Sequence, residues 1–99
     1  MSDSELIQRI LSGNTNDFSI LVEKYKKLVF STCMGFVHDA DEANDLTQEV
    51  FISAFQKLSA FRGESSFPTW LYRISVNACL TRLRAVSYTH LTLPTKRIV

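Results

Sequence analysis

The chain has 99 residues, 45% of them hydrophobic and 21% charged, with a formal net charge of +1; that composition predicts one small soluble domain with a single core rather than a disordered or membrane chain. No apolar run approaches the roughly 20 residues of a membrane span, and the first five residues are acidic rather than basic and apolar, so a spanning helix and a signal peptide are not expected and the cytoplasm is the default location. Charge divides unevenly, with nine acids against four bases in residues 1–50 and five bases against Glu64 alone in residues 51–85; this suits an acid-facing partner on one side and a polyanion on the other, and suits accident equally well.

Taken in order, Ser2 and Glu5 form a capping-box pattern ahead of an apolar face made by Leu6, Ile7, Ile10 and Leu11. Gly13 is expected to stop this short helix. Asn14 to Asp17 read as turn and N-cap residues. Phe18, Leu21, Val22, Tyr25, Leu28, Val29, Thr32 and Phe36 then follow a 3.6-residue period, which predicts a long second helix. Asp39 caps a third helix, with Glu42 three residues on, and this helix is expected to run to about Leu58 or Phe61. Ser59 to Pro68 is a polar loop broken at Gly63 and flanked by Phe61 and Phe67. Pro68 suits the first turn of a fourth helix, whose Leu71, Ile74 and Ala78 face the core beside Trp70. Cys33 and Cys79 are isolated thiols on helices, expected to act as small buried hydrophobes rather than as a disulfide or a zinc site. The predicted fold is all-α, one short and three long helices over residues 1–85.

Residues 86–99 fall outside this pattern. Val86 to Thr95 alternates polar and apolar residues as a strand would, yet no second strand is present to pair with it. The same ten residues match the conceptual translation of a transposase-type sequencing adapter. The stretch is therefore expected to be a non-native tail on a protein whose own sequence continues beyond Ala85.

The third helix carries two demands at once. Ala43, Leu46, Val50, Ala54 and Leu58 recur at core-facing spacing, while Asp41, Asp45 and Glu49 stack like charges four residues apart on another face. The helix dipole explains acids in the first turn and no further, so Asp45 and Glu49 mark either a solvated face or a surface for a basic partner. In the fourth helix Arg73 and Asn77 lie one turn apart on an exposed side. An Arg there suits a phosphate and an Asn suits a base edge, although both residue types are also ordinary on surfaces. No nucleophile–base pair, phosphate loop or metal-ligand spacing appears, so no catalysis, metal or cofactor is expected.

From Asp17 to about Arg84 the sequence resembles region two of bacterial RNA polymerase sigma factors of the extracytoplasmic-function (ECF) type. The resemblance is carried by Asp45-Leu-Thr-Gln-Glu-Val-Phe51, Phe61-Arg-Gly-Glu64 and Thr69-Trp-Leu-Tyr-Arg-Ile-Ser-Val-Asn77, in the family's order and at its spacing. It implies that the third helix docks on a coiled coil of the polymerase clamp, which falls here on Asp45, Gln48 and Glu49. It also implies that the loop and fourth helix recognise and melt the promoter minus-ten element, taking one flipped base of the non-template strand into a pocket. That role falls on Phe61, Arg62, Gly63, Ser65, Ser66, Phe67, Thr69, Trp70, Arg73 and Asn77. Small residues, backbone donors and an aromatic wall are what a base pocket requires; the two Phe side chains suit equally a plug at the end of the bundle. Core polymerase, promoter DNA and an anti-sigma factor are the implied partners, with no membrane and no enzyme activity. A helical protein-interaction module without DNA binding is the rival reading, and a metal-dependent bundle enzyme a more remote one. The departure from the family is the absence of its second domain.

Overall fold

The computed structural model describes residues 2–92, and side chains from Ser2 to Arg84. Its helices are α1 (Asp3–Leu11), α2 (Phe18–Val37), α3 (Ala40–Gln56) and α4 (Phe67–Thr92), with 3-10 turns at Thr15–Asp17 and Leu58–Ala60 and no strand among the described residues. The expected all-α bundle of one short and three long helices is thus the observed one.

Local chemistry sets the helix ends. The Ser2 hydroxyl accepts the Glu5 N–H at 3.2 Å while the Glu5 carboxylate accepts the Ser2 N–H at 2.8 Å, so two donors that α1 would leave unpaired are satisfied reciprocally. Gly13, at φ +118°, takes the turn just past the Ser12 C-cap in a conformation that side chains disfavour. Asp17 does not cap α2 with its side chain; its carboxylate accepts from Arg9 Nε at 2.6 Å and so moors the end of α1. His38 closes α2 in a left-handed conformation (φ 56°), and Asp39 then caps α3 by accepting the Glu42 N–H at 3.1 Å.

The core draws on all four helices and the second 3-10 turn: Leu6, Ile7 and Ile10 of α1, Leu21, Val29 and Cys33 of α2, the five expected positions Ala43, Leu46, Val50, Ala54 and Leu58, and Leu71 and Cys79 of α4. Leu11 and Leu28 stay outside, at 51% and 40% exposure. The eight-position stripe read along α2 is wider than the surface its neighbours cover. Ser75 is fully buried within α4, where its hydroxyl donates to the Leu71 carbonyl at 2.9 Å, so no polar atom is stranded. Cys33 and Cys79 meet in the core as free thiols. Burial, aided by the contact with Cys79, pushes the Cys33 thiol up to about 12, so it remains a protonated, unreactive hydrophobe.

One boundary differs from expectation. α3 ends at Gln56, and the 3-10 turn that follows brings Leu58 into the core by tightening the chain rather than by extending the helix. Residues 86–92, read from the sequence as part of a non-native tail, continue α4. A lone strand has no hydrogen-bonding partner, whereas each residue added to a formed helix closes one bond without a new nucleus. The rest of the expected tail, residues 93–99, lies outside the described residues.

Candidate functional site

The acidic stripe of α3 is exposed, as its like-charge spacing requires: Asp45, Gln48 and Glu49 all face solvent. The three are not equivalent. Arg82 of α4 donates from one guanidinium nitrogen to Glu42 and from the other to Glu49, each at 2.6 Å. Asp45 makes no ion pair among the described residues. Arg82 is held above its usual range chiefly by the hydrogen bond to Glu42, with the charges of Glu49 and Asp45 adding to it. The basic half of the chain thus neutralises part of the acidic half internally, across 40 and 33 residues of sequence. These carboxylates are half exposed, so the tie is worth little. Arg82→Ala is expected to lower stability by less than about 1 kcal/mol. The difference from the parent should shrink in about 1 M salt, where the screening length falls to about 3 Å. A loss that persists there would mean that the Arg82 stem acts by packing.

The loop between α3 and α4 forms the second part of the site. Gly63 turns at φ +75°, which a side chain at this position would strain. Ser66 begins α4: its hydroxyl lies 2.8 Å from that of Thr69 and accepts the Thr69 N–H at 3.4 Å. Thr69 is therefore occupied in the cap. Phe61, Phe67 and Trp70 form a closed triangle of rings, with centroids 5.9, 5.7 and 5.1 Å apart, and Tyr25 of α2 packs on Phe67 at 5.6 Å. Phe67 is only 2% exposed. It plugs the end of the bundle and meets the solvent-facing cavity only as part of a wall, while Phe61 and Trp70 are half-buried and Arg62 is exposed. A cavity of about 450 Å³ opens beside this cluster, lined by Phe61, Phe67 and the loop residues Gly63, Ser65 and Ser66. Its opposite wall is the start of α1, at Ser2, Asp3 and Ser4. No feature of the sequence near the loop announces that wall.

Arg73 and Asn77 are exposed on α4, as their spacing requires. A groove of about 370 Å³ separates α3 from α4, and Asn77 lines it together with Glu49, Lys57 and Arg82. The expected acidic docking surface and polyanion-binding surface are therefore neighbours across one groove, not opposite sides of the domain. The charge asymmetry read along the sequence did not specify this, because helix packing brings residues 49 and 77 together. No group of three or more His, Cys, Asp or Glu suited to a metal occurs among the described residues. No described helix is long and apolar enough to cross a membrane.

The family model described as Sigma-70 region 2 matches residues 21–87. The chain belongs to the sigma-70 region 2 family. This region 2 chain is 45% identical over 83 residues to the RNA polymerase sigma-H factor of Pseudomonas aeruginosa, covering 84% of this chain and 43% of that protein. It is 40% identical over 85 residues to the ECF RNA polymerase sigma-E factor of Escherichia coli K12, covering 86% of this chain and 44% of that one. The region 2 chain thus spans less than half the length of these relatives. Among solved structures it is similar to an engineered region 2 of sigmaE in an NMR complex with GTAAAA, with a TM-score of 0.79, 35% identity and coverage of 86% and 88% of the two chains.

Proposed function

We propose that this region 2 chain is the part of an ECF-type sigma factor that docks on the clamp coiled coil of core RNA polymerase and recognises and melts the promoter minus-ten element. The observation that carries the reading is the groove where two unlike surfaces meet. Glu49, the last carboxylate of the exposed acidic stripe of α3, lies on one side of it, and Asn77 of α4 lies on the other. Carboxylates on one side suit arginines of a protein partner. The loop cavity, the ring cluster and the Arg73 and Asn77 face suit an unstacked strand, whose bases need an aromatic wall and whose phosphates need cations. The sigmaE relative bound to GTAAAA supports the same assignment. Within the site, Asp45 is the carboxylate available to a partner, Glu49 is shared with Arg82, Phe67 forms part of the pocket wall, and Thr69 holds the start of α4 through Ser66. An anti-sigma factor that blocks docking would have to cover the Asp45 face. These roles place the protein in the cytoplasm.

The test is a complex of the chain with core polymerase, titrated with a non-template minus-ten strand and with a scrambled strand. Formation of the complex and preference for the minus-ten strand are expected. A chain that binds core without preferring any DNA strand would be the protein-interaction module instead.

A further inference from the structure

We propose that Asp3, in the first turn of α1, is a positioning residue for the base pocket, acting through Tyr25 on Phe67; the inference rests on the base-pocket reading above. The cavity beside the loop has two walls, and one of them is α1, some sixty residues away in sequence. Asp3 is the residue of that wall with a tether. One of its carboxylate oxygens accepts from Lys24 Nζ at 2.9 Å, and the other accepts the Tyr25 hydroxyl. Burial pushes the Asp3 carboxyl up, but the hydrogen bonds from Lys24 and Tyr25 outweigh it and hold the group below its usual range. The carboxylate is therefore charged wherever the pocket operates.

The tether reaches the pocket through rings. Tyr25 bonds Asp3 at its tip and packs its ring on Phe67, and Phe67 in turn packs on Phe61 and Trp70. An aromatic side chain has two torsions, and fixing its tip restrains both, which matters because ring–ring contacts depend on relative orientation. The anchor is itself held. The capping box fixes the start of α1, Leu6, Ile7 and Ile10 are buried beneath it, and Arg9 ties its last turn to Asp17. The Phe61 and Phe67 wall against which a base would stack is thus set from behind by α2 and from the side by α1. The loop alone does not determine it.

The experiment uses the chain in complex with core polymerase and measures affinity for two strands. One is the matched minus-ten strand; the other is abasic at the position where the parent loses most affinity. The parent is expected to prefer the matched strand about tenfold or more, the order of one stacked base. Tyr25→Phe keeps the ring and removes the tether, whereas Asp3→Ala removes the anchor. Each should reduce the preference to about two- to threefold while leaving affinity for the abasic strand within about twofold, since backbone contacts are untouched. The double variant should lose no more than either single one, because both break the same link.

Retention of the full preference in both folded variants would overturn the proposal. So would losses that multiply in the double variant, or equal losses for matched and abasic strands, which would mark Asp3 as a residue of the fold only. If Asp3→Ala fails to fold by circular dichroism, Tyr25→Phe decides alone. A parent that shows no matched-over-abasic preference at any position would refute the base-pocket reading itself, and the role of Asp3 with it.

Discussion

Asp45→Arg should weaken binding to core polymerase by about 2–5 kcal/mol, the range found when one partner of a desolvated charge pair is removed, and the reversed charge adds repulsion to that loss. About 2 kcal/mol is already some thirtyfold in the dissociation constant. The fold should hardly notice. Asp45 is exposed and makes no ion pair among the described residues, and removing it relieves the repulsion from Asp41 and Glu49. Its neighbour gives the opposite result. Leu46 is fully buried, so Leu46→Ala should cost about 2–5 kcal/mol of stability through lost burial and the cavity left behind. The fraction of that variant still folded should bind core normally. Glu49→Arg is an intermediate case, since it removes an Arg82 partner and places two guanidinium groups together. It should lose both some stability and some affinity. Thermal melting together with a core-binding titration measures all three variants. If Asp45→Arg bound core as tightly as the parent, α3 would not be the docking helix.

What the sequence shows and hides in this domain follows from the range of each interaction. The starts of α1 and α3 were legible because caps act over three residues, as at Ser2 with Glu5 and Asp39 with Glu42. The α3 core positions were legible because period alone places them on one face. The loop aromatics were visible as types, but whether Phe67 plugs the bundle or faces a ligand depends on how deeply α2 and α4 enclose it, and the structure buries it. Arg82, Asp3 and Tyr25 were missed because their partners lie 21 to 40 residues away and no local pattern marks such pairs. The shared groove was missed for the same reason. Residues 49 and 77 become neighbours only when α3 packs on α4.

That neighbourhood makes the division of labour on α4 testable. Arg73 and Asn77 are both exposed and one turn apart, but only Asn77 lines the groove with Lys57 and Arg82. A phosphate contact gives affinity without sequence preference, and a base-edge contact gives preference. Arg73→Ala should therefore weaken binding of the core complex to every single-stranded oligonucleotide. It should also flatten the dependence of log affinity on log salt by about 0.7, the value of one released counterion contact on a single strand. Asn77→Ala should leave that slope alone and reduce the preference for a matched minus-ten strand over a scrambled one by about 1–3 kcal/mol, if its amide reads a base edge in bidentate fashion. Anisotropy titrations at three or four salt concentrations separate the two effects, because one changes the slope and the other the gap between strands. Full discrimination in Asn77→Ala with its loss in Arg73→Ala would reverse the two roles. If neither substitution moved slope or gap, the Arg73 and Asn77 face of α4 would not be the reading surface, and the protein-interaction reading would gain.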